Sequence, residues 1–165
     1  MSRALLVIDV QNDYFPGGVL PLHDAEEVEA RIVSEIDRAR AAGDRVVLIR
    51  HISPAETGLF AANGSGAAIR PAILSAAGDA PIVTKQVADA FQDTDLATHL
   101  SGVREIRICG MMTQNCVVFT AMSEAAAAFD VCVIGDLCAA PSEIVHKVAL
   151  SALSSKLRVE NAVDA

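Results

Sequence analysis

Leu5-Leu6-Val7-Ile8, closed by Asp9, is the stretch on which the fold is decided. Four aliphatic residues in succession leave no polar face, so the run does not alternate as a half-buried strand would. It suits a strand covered on both sides, the usual condition in a parallel sheet. Val46-Val47-Leu48-Ile49, Ile82-Val83, Ile106-Arg107-Ile108-Cys109 and Val131-Cys132-Val133-Ile134 read the same way. Helical stretches lie between them. From Glu26 to Ala42, Val28, Ile32, Val33 and Ile36 recur at helical spacing, and Gly43 marks the end. Thr94–Leu100 is a shorter candidate. Thr113–Phe129 is Ala-rich and favours one long helix. Ser142–Ser154 opens on a capping serine and carries Ile144, Val145, Val148, Ala149 and Leu153. Strands alternating with helices imply right-handed crossovers and a three-layer α/β/α domain. Gly, Pro and Ser crowd the segment from Ile52 to Pro71, which predicts a long loop, functional or mobile.

The chain has 165 residues, against a prior of roughly 150 for one domain. A single domain over residues 1–165 is expected, and 52% hydrophobic residues suffice for a core. Thirteen basic against twenty-one acidic residues give a net charge of −8. That balance disfavours nucleic acid phosphates and anionic lipid as partners and leaves a small-molecule substrate. No run approaches the roughly 18 apolar residues of a membrane helix. Asp9 cuts short the apolar start, and no small-residue cleavage site follows, so no signal peptide is read. Cys109, Cys116, Cys132 and Cys138 form no CxxC pair and no Cys/His cluster in sequence. Neither zinc nor a disulfide framework is expected, and reduced thiols suit the cytoplasm. Gly17-Gly18 and Gly64-Ser65-Gly66 fit neither GxGxxG nor a phosphate loop, so no cofactor is expected.

In open α/β sheets, ligands bind beyond the carboxyl ends of the strands. The strands as read end in Asp9, in Arg50-His51, in Lys85, in Gly110-Met111-Met112-Thr113-Gln114-Asn115-Cys116 and in Gly135-Asp136. An acid, one of only three lysines and a cysteine therefore converge on one sheet edge. With Thr113 as N-cap, Cys116 falls in a first helical turn, where the macrodipole should lower its thiol pKa and backbone N–H groups can hold an oxyanion. Packing behind the sheet is the plainer role for a small cysteine. Asp9 either caps the next turn or takes the thiol proton. Lys85 is either solvated or a fixed cation that stabilises negative charge. His51 either lines the pocket or is a hydrogen-bonded structural histidine. Tyr14 and Phe91 either flank a planar substrate or fill the core. Arg50 and Arg70 either bind a carboxylate or face solvent. Gln114 and Asn115 are expected to satisfy the N–H groups of the helix start.

Three segments together resemble a known family. Ala4-Leu5-Leu6-Val7-Ile8-Asp9-Val10-Gln11-Asn12-Asp13-Tyr14-Phe15 is similar to the opening motif of isochorismatase-like cysteine hydrolases. Ile108-Cys109-Gly110-Met111-Met112-Thr113-Gln114-Asn115-Cys116-Val117 is similar to their nucleophile motif. Lys85, with Phe91 and Thr94-Asp95-Leu96, resembles the middle motif, and Phe60, Gly64-Ser65 and Asp136 match family habits. The resemblance implies a Rossmann-like, mostly parallel sheet of about six strands ordered 3-2-1-4-5-6. It implies a triad of Asp9, Lys85 and Cys116, and a cis peptide between Met111 and Met112. That bond would turn the Met112 N–H toward the Cys116 N–H to form an oxyanion hole. Tyr14, His51, Phe60 and Phe91 are the candidate substrate pocket, and the resemblance implies a homo-oligomer in which a partner subunit completes part of it.

The nicotinamidase branch carries an Asp-x-His metal motif after the second strand. Here that place reads Ile49-Arg50-His51-Ile52-Ser53, without the carboxylate, so no metal is expected. The intact Cys116 favours cleavage of a small amide, lactam or carbamoyl compound. Two rivals stand: an enol-ether hydrolase using Asp9 as general acid, as in isochorismatases, and a catalytically idle binding protein on the same fold.

Overall fold

The computed structural model describes residues 2–162. Six strands form one all-parallel sheet: β1 (Arg3–Ile8), β2 (Arg45–His51), β3 (Ile82–Lys85), β4 (Glu105–Met111), β5 (Asp130–Ala139) and β6 (Arg158–Glu160). Their order is β3-β2-β1-β4-β5-β6. The sequence reading of the sheet and its order therefore holds.

The unbroken apolar runs explain the layering. Along β1, Leu5 and Val7 face one core with Val28, Ile32 and Ile36 of α1 (Ala25–Ala41). Leu6 and Ile8 face a second core with Val117, Leu96 and Leu153. β1 thus carries an apolar side chain at every position from Ala4 to Ile8, and a one-residue slip would exchange its two faces. Glu26 and Glu27 in the first turn of α1, and Arg38 and Arg40 in its last, complement the macrodipole. The chain leaves α1 through Gly43 at φ +76.

α2 (Pro71–Ala77) starts inside the residue range read as a loop boundary, with Pro71 at its first position. α3 is the short Leu96–His99, and α5 runs from Glu143 to Ser154 behind Ser142, whose hydroxyl accepts from the Val145 N–H at 3.3 Å. Of the apolar residues noted on α5, Ala149 and Leu153 are buried while Ile144 and Val148 are exposed. The expected long helix Thr113–Phe129 is corrected. It is a π-helical turn (Thr113–Val117), α4 (Val118–Ala121) and a separate single 3-10 segment (Ala125–Ala128). Alanine propensity extends a helix only where the buried face continues, and among Ala125–Ala128 only Ala126 is buried. The fifth strand does not end at Asp136 but continues to Ala139. Asp136 accepts a hydrogen bond from the Ala162 N–H at 2.7 Å.

The β1–β4 contact fixes the sheet edge where the chemistry sits. Ile8 pairs with Gly110, which adopts φ +117, and a Cβ at that position would lie 2.1 Å from the Ile8 carbonyl oxygen. Only glycine admits both the dihedral and the close approach. No helix among the described residues is long and apolar enough to cross a membrane.

Candidate active site

Four side chains from separate elements meet beyond the carboxyl ends of β1 to β4. Asp9 follows β1 in a left-handed conformation (φ 50), which turns the chain sharply off the strand. His51 and Lys85 close β2 and β3 and are direct register partners. Cys116 comes from the π-helical turn that follows β4, and the Met111–Met112 peptide bond just before it is cis. The Lys85 ammonium is the hub. Its Nζ lies 2.8 Å from Asp9 Oδ2 and donates to His51 Nδ1 at 3.1 Å, to the Val87 carbonyl at 3.0 Å and to Cys116 Sγ at 3.3 Å. Asp9, Lys85 and Cys116 are all at most 2% exposed.

The placement of Lys85 removes the solvated reading of that lysine. Asp9 is fully buried, and burial raises its carboxyl pKa against the lowering effect of Lys85. Its Oδ2 lies 2.8 Å from the Lys85 ammonium, and the Cys116 thiol stands on its other side as a second hydrogen-bond partner.

The expectation of a lowered thiol pKa at Cys116 is overturned. Burial and then the Asp9 carboxylate push the thiol up to about 12, and Lys85 only partly offsets them. Thr113 is not the N-cap. Met112 occupies that position without a side-chain cap bond, and Thr113 Oγ1 lies 2.8 Å from His146 Nδ1 on α5. Gln114 and Asn115 do not cap the turn either: Gln114 Nε2 donates to Met112 Sδ at 3.4 Å. With no cap and a buried sulfur, desolvation outweighs the dipole.

His51 is half-buried and hydrogen-bonded through its ring, and burial and then Lys85 hold its imidazole below its ordinary pKa. The lysine can only donate, so Nδ1 accepts and the ring proton sits on Nε2. Phe60 (φ 57) lies 5.6 Å from the His51 ring and meets Tyr14 edge-on at 4.8 Å. Tyr14 is buried, and burial followed by Cys116 and Asp9 raises its phenol pKa. Phe91 stacks on Phe129 at 6.2 Å. Phe129 precedes β5, at the opposite end of the parallel sheet from Cys116. Arg50 donates to Thr84 Oγ1, while Arg70 pairs with Glu29 at 3.0 Å and lies over the Phe15 ring.

Two supporting residues escaped the sequence reading as functional positions. Gln11 is fully buried and clamps the His51 backbone both ways: its Nε2 donates to the His51 carbonyl and its Oε1 accepts from the His51 N–H, each at 2.8 Å. Asp13 accepts from the Phe60 N–H at 2.7 Å. Both lie in the motif Asp9–Tyr14, and a glutamine two residues past a strand-closing acid was the available signal.

Folding also creates a cluster that the cysteine spacing did not show. Asp9, His51 and Cys116 each offer one potential metal ligand, all within 4.8 Å of one another. The ammonium of Lys85 already stands among these atoms, and a divalent ion there would face a positive charge at contact distance. The residues therefore do not fit a resident metal beside the Lys85 ammonium.

The isochorismatase domain profile matches residues 3–162. The chain belongs to the isochorismatase family. An isochorismatase family protein, YddQ of Bacillus subtilis, is 32% identical over 167 residues, covering 93% of this chain and 92% of its own. Among solved structures, a putative isochorismatase hydrolase from Oleispira antarctica superposes with TM-score 0.89 at 29% identity, over 97% of this chain and 93% of the other. Nicotinamidase PncA from Bacillus subtilis superposes with TM-score 0.85 at 25% identity, over 98% and 100%. Membership makes the chain an isochorismatase-family hydrolase.

Proposed function

We propose that this hydrolase cleaves the C–N bond of a small amide, lactam or carbamoyl compound through a thioester on Cys116. The observation that carries the reading is the Lys85 ammonium in contact with both Asp9 and the Cys116 sulfur. Asp9 takes the thiol proton as the sulfur adds to the substrate carbonyl. The backbone N–H groups of Met112 and Cys116 receive the oxyanion, and Lys85 offsets the charge on the sulfur. Asp9 then gives its proton to the departing ammonia or amine, leaving the acyl group on sulfur. Water, deprotonated by Asp9, attacks the thioester, and the acid leaves as the proton returns to Cys116. A resting thiol with raised pKa suits this sequence, because the nucleophile forms only as Asp9 accepts its proton. The nicotinamidase among the structural neighbours supports an amide as the substrate class.

One observation favours a second reading. A buried carboxyl with raised pKa can also serve as a general acid toward an enol ether, without need of the sulfur. A panel of small amides and lactams scored by ammonia or amine release, beside an enol-ether panel, separates the two. The amidase reading expects turnover of an amide that Cys116→Ala abolishes. Activity that survives Cys116→Ala and dies with Asp9→Asn would establish the enol-ether reading.

A further inference from the structure

The Met112 and Cys116 N–H groups, assigned to the oxyanion, sit on a turn that its own residues hold weakly. Met112 stands at the N-cap position without a side-chain cap bond, and the turn is π-helical. The Met112 carbonyl is shared between the Asn115 and Val117 N–H groups at 3.1 and 3.3 Å. Gln114 reaches only Met112 Sδ, within the same segment. Among the described residues, two side chains reach the turn by hydrogen bonds from elsewhere. One is Lys85, on the Cys116 sulfur. The other is His146 on α5, whose Nδ1 lies 2.8 Å from Thr113 Oγ1. Thr113 is fully buried, and His146 is the one hydrogen-bond partner of its hydroxyl among the described residues. A buried hydroxyl that lost this partner would keep its full desolvation cost, so the two side chains are held together.

His146 is itself well placed to act as an anchor. Its N–H bonds the Ser142 carbonyl at 3.1 Å in the capped first turn of α5, and Ala149 and Leu153 bury that helix. The ring borders a cavity of about 240 Å³ that it shares with His23, Glu143 and Lys147, so the packing around it is open and the ring is not needed there as filler. We infer that His146 is a positioning residue for the oxyanion site: through Thr113 it holds the main chain that carries the Met112 and Cys116 N–H groups. It contributes no reacting group. It keeps two main-chain donors aimed at the place where negative charge develops. A turn free to shift would still admit the substrate but would meet the oxyanion badly. The inference rests on the thioester reading of Cys116, and concerns what holds the oxyanion donors.

The test is a double-mutant cycle on the selected amide. Thr113→Val keeps the shape and removes the hydroxyl, and His146→Phe keeps a ring and removes the nitrogen. Each should lower kcat by about 10–100-fold, less than the roughly 10²–10³ that follows loss of a whole oxyanion donor. KM should stay within about twofold, because the donors act mainly in the transition state. The double variant should be no slower than either single one. Thr113→Ser, and His146→Asn with its amide oxygen near the position of Nδ1, should recover most of the rate. Losses that multiply in the double variant, a rise in KM at unchanged kcat, or no recovery in either conservative variant overturns the inference. Amide hydrogen exchange at Val117 supplies an arm that needs no substrate. Thr113→Val and His146→Phe should speed it by about tenfold, and unchanged exchange in both overturns the inference. Should His146→Phe fail to fold, Thr113→Val and its comparison with Thr113→Ser decide in both arms. Turnover that survives Cys116→Ala would sink the thioester reading instead, and the exchange arm would still show whether His146 holds the turn.

Discussion

Cys116 and Cys138 are both buried and both pushed up to about 12. Their surroundings differ in kind. Cys138 lies on β5 against Gly110 of β4, and its thiol lies 3.3 Å from the Ile134 carbonyl as donor. Burial dominates there, with the Gly110 backbone and Asp136 as lesser influences. At Cys116 burial is followed by an opposed pair, a carboxylate that raises the pKa and an ammonium that lowers it. A thiol pKa alone therefore does not mark a nucleophile. The mark is a proton acceptor and a cation that both touch the sulfur.

The sharpest way to break this comparison is to delete each sulfur in turn. Cys116→Ala should lower the rate on the selected amide by roughly 10³-fold or more, measured as ammonia release, whereas Cys138→Ala should leave it within a factor of about two. Equal losses would mean that the surroundings of Cys116 confer nothing. Asp9→Asn comes next. Removing the proton acceptor should reduce kcat by roughly 10²–10⁴-fold, with the fold checked by thermal unfolding, since a lone buried Lys85 is costly.

The pH profile sharpens the same point with a smaller effect. Asp9 must be ionised to accept the thiol proton, and burial raises its pKa above the ordinary aspartate value of 3.8. The rate should fall as pH drops, along a limb centred above that value. His51, held below 6.5, gains its proton and stops accepting from Lys85 on the same side. A limb centred at or below 3.8 would contradict the assignment. The smallest effect belongs to stability: Cys138→Ala removes one buried sulfur and should cost about 1 kcal/mol, read from denaturant midpoints.

Much of this architecture was legible because burial on both faces leaves a sequence mark. The aliphatic runs that became β1, β2 and the first half of β5 have no charged alternate, β4 breaks its run only at Arg107, and α1 and α5 carried their periodicity and their end signals. The strand-end rule then placed Asp9, His51, Lys85 and the Cys116 segment on one edge. Three residues on β6 were too few to read, and α2 hid behind Pro71 in a Gly- and Ser-rich stretch. The break between Thr113 and Phe129 was hidden because alanine favours helix whatever packs on it.

The charge state of the site was less legible than its membership. Thr113 is a good capping residue by type, but its hydroxyl lies against His146, 33 positions away in sequence. The pKa of Cys116 depends on how deeply the fold buries it, and local spacing carries no measure of that. The same holds for Lys85, which as a residue type is usually exposed and here is 1% exposed. Gln11 was visible as a residue, but its clamp on His51 exists only once β1 and β2 lie side by side.

The most direct measurement is the alkylation pKa of Cys116 in two variants that remove opposite charges. Asp9→Asn deletes the group that raises the thiol pKa, so the value should fall below that of the wild type. Lys85→Met deletes the group that lowers it, so the value should rise. Shifts in the same direction, or none in either variant, would contradict the claim that this sulfur is governed by one carboxylate and one ammonium.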